Sequence, residues 1–143
     1  MGLFYSDIWR KWFSDHETKL LMVGLDMAGK TTILNELKLQ KYIKYIEYIG
    51  FSIESIQYKN FVLNCWDVGG QETPKLYLKR QYYNNVQGII FVVDSSNFNR
   101  MEEAGKIIKD LLKIDELNEA ILLVYANKQD DPKSLKPQEL ENR

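Results

Sequence analysis

Residues 24–31 read GLDMAGKT, and no other stretch constrains the chain as tightly. They fit G-x-x-x-x-G-K-[ST], and they lie between KLLMVG (19–24), which reads as a short buried strand, and TTILNELKL (31–39), which reads as a helix. A glycine-containing turn in that setting points successive backbone N–H groups inward at a phosphate. Asp26, Met27, Ala28 and Gly29 supply them from the loop. Lys30, Thr31 and Thr32 supply them from the helix start, where the helix dipole favours an anion. The Lys30 ammonium suits β- and γ-phosphates, and the Thr31 hydroxyl suits Mg²⁺. With glycine near 7% of residues, a chance match in a chain of this length is on the order of half a percent.

The rest of the chain supplies the sheet such a loop needs. FSIESIQY (51–58) alternates apolar and polar residues, Lys59-Asn60 makes a turn, and FVLNCWDV (61–68) returns, so the pair reads as a hairpin. GIIFVVD (88–94) and AILLVYAN (120–127) are continuous apolar runs of the kind that form fully buried parallel strands. Met101, Ala104, Ile107, Ile108, Leu111 and Leu112 recur at helical spacing, and a further helix is expected to begin within 137–143. Residues 41–49 repeat one triplet as KYI, KYI, EYI; the content leans toward extended structure. Strands alternating with helices predict an α/β fold with a mainly parallel sheet. At 143 residues the chain makes one such domain.

Composition narrows the chemistry. A formal net charge of −1 gives no electrostatic footprint for nucleic acid. Cys65 is the one cysteine and His16 the one histidine, so no intrachain disulfide can form and a transition-metal site is not expected. Cys65 sits in an apolar run and reads as packing.

Two later motifs bear on the nucleotide. WDVGGQ (66–71) ends a strand, where ligands bind in open α/β sheets. There Asp67 can hold Mg²⁺ through water, Gly70 can give its N–H to a terminal phosphate, and Gln71 can orient the attacking water as the catalytic residue. NKQD (127–130) follows the last apolar run. Asp130 can accept from guanine's ring N–H and exocyclic amine, a pair of donors that adenine lacks on that edge. Lys128 can lay its stem along the base, and Asn127 can tie this loop to the phosphate loop. Alone, N-K-x-D usually marks only a polar loop; its order behind the other two motifs gives it weight.

Three motifs in this order resemble the Ras superfamily of GTPases. The wording VGLDMAGKTTIL, IGFSIESIQYKN, WDVGGQ, GIIFVVDS and ANKQD is similar to that of the ADP-ribosylation factor (Arf) family, from Met1 to about residue 141. The resemblance implies a P-loop, Ras-like GTPase fold and slow hydrolysis of GTP to GDP and phosphate with Mg²⁺. It implies a nucleotide-driven switch in vesicle-mediated protein transport. The implied partners are exchange factors, GTPase-activating proteins and coat or tether effectors. The implied place is the cytoplasm, reversibly on Golgi-type membranes.

The N-terminus agrees. MGLFYS fits M-G-x-x-x-[ST], a myristoylation signal on Gly2. Tyr5, Ile8, Trp9 and Trp12 then fall on one helical face, so residues 1–16 read as an amphipathic helix that supplies the second contact a single acyl chain needs. Residues 17–143 then read as an incomplete small GTPase domain.

The sequence departs from the family in two respects. Tyr48 stands two residues before Gly50-Phe51, where the family has a threonine that binds Mg²⁺, and Glu47 replaces the family's proline just before it. The span from Gln71 to Tyr82 is one residue longer than usual. These changes, with the missing C-terminal elements, raise an alternative: a nucleotide-bound module impaired in hydrolysis, or a non-functional truncated product. The family also continues with a further strand, a guanine-contacting loop and a C-terminal helix, and none lies within these residues, so the chain reads as C-terminally truncated. Strand 120–127 is then expected to be an open sheet edge prone to aggregation, and nucleotide binding to be weakened.

Overall fold

The computed structural model describes residues 17–39, 44–47, 53–66 and 83–141, with 44–47 and Ile53 described by their backbone alone. Six strands form one sheet: β1 (Thr18–Val23), β2 (Lys44–Glu47), β3 (Ile53–Tyr58), β4 (Phe61–Trp66), β5 (Val86–Asp94) and β6 (Ile121–Asn127), in the order β2-β3-β4-β1-β5-β6. The β1/β4, β1/β5 and β5/β6 pairs are parallel, while β2/β3 and β3/β4 are antiparallel. The sheet is therefore mainly parallel, and 53–66 is the expected hairpin. Lys59 takes the left-handed φ of 53° that its tight turn requires.

Helices α1 (Lys30–Lys38) and α2 (Met101–Leu111) cover opposite faces. Successive β1 residues divide between them, as strand alternation demands. Met22 packs with Leu34 of α1 and with Ile56, Leu63, Cys65 and Val92. Leu21 and Val23 pack with Ala104, Ile107 and Leu111 of α2 and with Ile89, Phe91 and Val93. Each fully buried leucine of this kind, Leu34 and Leu111 among them, contributes about 1.5–3 kcal/mol. α2 carries Glu102 and Glu103 in its first turn and Lys109 in its last, matching its dipole. A short helix, α3 (Pro137–Glu141), stands where a further helix was expected to begin.

β6 corrects one expectation. Its run is as apolar as that of β5, and it reads as buried, yet Ile121, Leu123, Val124 and Tyr125 are all exposed. β5 is flanked by β1 and β6, but β6 is the outer strand among the described residues, so it pairs on one side only. The extended leaning of 41–49 is realised in β2, an outer strand at the other end, where Glu47 lies opposite Glu54.

Candidate functional site

Three described segments meet at the carboxyl ends of β1, β5 and β6, where an open α/β sheet presents its crevice. The first is the turn between β1 and α1. Lys30 opens α1, yet its side chain is almost wholly buried at 2% exposure, with its ammonium donating to the carbonyls of Gly24 and Leu25 at 2.7 Å each. The lysine thus arches back across its own loop, which curls it into a ring around a cation. Gly24 has to be glycine for a packing reason, because a Cβ there would lie 2.3 Å from the Val92 carbonyl oxygen. Met27 turns the loop with φ 62° and is 80% exposed.

The start of α1 is suited to an anion. Its first intrahelical bond is Ile33 N–H to Gly29 O at 3.0 Å, no side chain caps the end, and the first turn holds no acidic residue. The N–H groups of that turn come before the ladder begins, so they and the helix dipole face the loop. Thr31 and Thr32 are exposed at the same end. These features fit a polyphosphate: a buried ammonium beside a helix start that no side chain caps.

The second segment is 127–130. The Asn127 side-chain amide donates to Ala28 O at 2.8 Å, so this loop is fastened directly to the phosphate loop. A Cβ on Gly29 would lie 2.3 Å from the same Asn127 nitrogen. Lys128 follows with φ 61°, and its ammonium donates to Asp94 Oδ2 at 2.6 Å. Asp130 is exposed beside it.

The third segment was not foreseen. Asp94, the last residue of β5, accepts at Oδ1 from the Ser96 N–H (3.0 Å) and hydroxyl (2.7 Å). Partial burial pushes its carboxyl up, but the hydrogen bonds from Lys128 and Ser96 outweigh that and hold it below 3.8. Arg100 was missed too. Its guanidinium donates to Asp26 Oδ1 at 2.7 Å and to Asp26 O at 3.3 Å, and its Nε donates to Glu103 Oε2 at 2.8 Å. The hydrogen bond from Arg100 is the main reason the Asp26 carboxyl lies below its ordinary value. The Asp26 side chain is thereby committed to Arg100. Position at a strand's carboxyl end was a signal for Asp94; nothing in the local sequence marks Arg100.

Of the residues singled out from the sequence, Asp26, Met27, Ala28, Gly29, Lys30, Thr31, Thr32, Asn127, Lys128 and Asp130 come together here. Gly2 with the 1–16 segment, Tyr48, Asp67, Gly70 and Gln71 lie outside the described residues. A model of the ADP-ribosylation factor family matches residues 5–143. The chain belongs to that family. Arf-family proteins are GTP-binding regulators with a P-loop GTPase fold, which the sheet order and the β1–α1 loop described above fit. As GTPases they bind GTP and GDP with Mg²⁺. Mg²⁺ keeps several waters and phosphate oxygens as ligands and needs no all-protein cage. The exposed Thr31 hydroxyl at the mouth of the loop is suited to such a site.

Proposed function

We propose that this chain binds GTP and GDP in the crevice between the 24–31 and 127–130 loops and cycles between the two to regulate vesicle-mediated protein transport. The observation that carries the reading is the Asn127–Ala28 hydrogen bond at 2.8 Å. It sets a base-reading loop at a fixed distance from a phosphate-gripping one, and a nucleotide must engage both at once.

Each described residue has a part. Lys30 presents its ammonium to the β- and γ-phosphates, already oriented by Gly24 O and Leu25 O. Backbone N–H groups of the 26–32 segment donate to phosphate oxygens, with that of Ala28 held by Leu25 O at 3.3 Å, and Arg100 steadies Asp26 from outside. Asp130 accepts from the guanine edge and Lys128 supports its face. Thr31 and Asp67 would hold Mg²⁺, which neutralises charge building on the phosphates. Gly70 meets the terminal phosphate, and Gln71 orients water for in-line attack. Hydrolysis is slow unless an activating protein contributes. On this reading the chain works in the cytoplasm and reversibly on Golgi-type membranes, through myristate on Gly2 and the amphipathic 3–13 segment. Its partners are exchange factors, activating proteins and coat or tether effectors.

Titration of the Mg²⁺-supplemented protein with GDP, GTP and ATP tests the reading: both guanine nucleotides bind and ATP does not. Equal affinity for ATP would refute it. Tyr48, in the place of the family's Mg²⁺-binding threonine, favours a second reading, a nucleotide-bound module that does not hydrolyse. Single-turnover assays with an activating protein separate the two, because only a hydrolysing protein loses its rate when Gln71 is changed to Leu.

A further inference from the structure

Lys128 is held at both ends. Its backbone sits in the left-handed region at φ 61°, a conformation that a residue with a side chain keeps only when its surroundings impose it. Here they do. The Lys128 carbonyl accepts from the Asp131 N–H at 3.1 Å and from the hydroxyl of the buried Ser134. The loop carrying Ser134 is itself anchored, since Leu135 N–H donates to Ser95 O at 2.9 Å and the Gln129 amide donates to Leu135 O at 2.9 Å. At the far end of the side chain, the ammonium meets Asp94 Oδ2 at 2.6 Å. Asp94 cannot swing away, because Ser96 holds its other oxygen with two donors. Asp94 and Asn127 are register partners at the ends of adjacent parallel strands, so the carboxylate and the lysine are set opposite each other by the sheet.

The four methylenes of Lys128 are thus stretched between two fixed points. Left alone, a partly exposed lysine ammonium would swing into water. We infer that Asp94 is a positioning residue for base recognition, holding the Lys128 ammonium so that the lysine stem forms the flat support beneath a guanine ring. The inference rests on the nucleotide-binding reading above and deepens it. Asp94 touches no nucleotide on this account; it acts through Lys128. Ordering the lysine before the ligand arrives spares the complex that cost, and a rotamer-rich side chain ordered in advance is worth up to about tenfold in affinity.

The test is a double-mutant cycle on the full chain, read with two probes: Mg·GDP, and Mg·pyrophosphate, which has phosphates and no base. Asp94→Asn keeps an acceptor for Ser96 and turns a neutral amide toward the ammonium. It should weaken GDP several-fold, up to about tenfold, while leaving pyrophosphate within about twofold. In a Lys128→Met background, which keeps an apolar stem, Asp94→Asn should add no further loss. Three results would overturn the inference: unchanged GDP affinity, equal losses for GDP and pyrophosphate, or full additivity with Lys128→Met. If Asp94→Asn fails to fold by circular dichroism, Ser96→Ala, which removes the hydroxyl donor to Asp94 Oδ1 and keeps the N–H donor, should give a smaller loss confined to GDP, and no loss would count against the inference. Failure of the unaltered chain to bind GDP sinks the parent reading and this inference together; intact binding that ignores Asp94 sinks the inference alone.

Discussion

Gly29→Ala probes the joint between the two loops. Gly29 has φ 100° and ψ 14°, and an added Cβ would stand 2.3 Å from Asn127 Nδ2 and 3.6 Å from its Cγ. Two costs follow. The left-handed backbone costs a residue with a side chain roughly 1–2 kcal/mol. The Asn127 amide must then move, and its bond to Ala28 O contributes about 0.5–1.5 kcal/mol net. Together they come to about 1.5–3.5 kcal/mol, a large share of the roughly 5–15 kcal/mol a domain has. At about 1–3 kcal/mol per molar urea, the unfolding midpoint should fall by roughly 1–2 M. The assay is equilibrium urea unfolding followed by far-ultraviolet circular dichroism without added nucleotide, since a bound ligand would mask the change. In an Asn127→Ala background the space is open and the bond already gone, so Gly29→Ala should cost only the backbone share. A loss under about 0.5 kcal/mol, or an equal loss in both backgrounds, would refute the reasoning.

Tyr83 is fully buried against Trp66, with ring centroids 5.3 Å apart, and its hydroxyl has no partner among the described residues. Tyr83→Phe should therefore be neutral or raise stability by up to about 1 kcal/mol in thermal denaturation, and a clear loss would show that the hydroxyl is bonded. The Asp94 and Asp26 carboxyls are both held below their ordinary value in the folded chain, so the stability they contribute is complete above the ordinary carboxylate range and is lost as pH falls through it into their lowered range. Urea midpoints measured from pH 6 to pH 3 should drop less steeply in Asp94→Asn than in the unaltered chain; identical slopes would contradict the assignment. Because β6 presents Leu123 and Tyr125 to solvent, Leu123→Lys should reduce self-association in sedimentation velocity, and unchanged association would mean that the edge is not its cause.

Local pattern and long-range pairing differed in how far they could be read from the chain. The β1–α1 loop was legible because its chemistry is written in consecutive residues, and Gly24, Gly29 and Lys30 all stand where the phosphate-loop pattern needs them. The Asn127 tie was legible because N-K-x-D sits at a strand end that must lie beside the first loop. The apolar run of β6 reads as buried because its residues resemble those of β5, whereas the expectation that 120–127 is an open sheet edge agrees with its exposed side chains and its outer place among the described strands. Asp94 and Lys128 lie 34 residues apart, and Arg100 and Asp26 lie 74 apart. Asp26 and Lys128 stand out in the sequence as loop residues, but neither pairing shows until the sheet brings the partners together. The left-handed Lys128 was equally hidden, because its cause is the Ser134 hydroxyl and the Asp131 N–H folding back over it.

The central claim is that the 24–31 and 127–130 loops together form a guanine-nucleotide site. Asp130→Asn tests it most directly, because Asp130 is exposed in the second loop and its proposed work is to accept from the guanine edge. An amide there offers a donor where the carboxylate offered acceptors, and xanthine carries a carbonyl in place of guanine's amine. Parallel titrations of the unaltered and Asp130→Asn chains with GDP and XDP should show the preference moving from guanine to xanthine, with the buried polar mismatch costing the variant most of its GDP affinity. An unchanged preference for GDP would contradict the account.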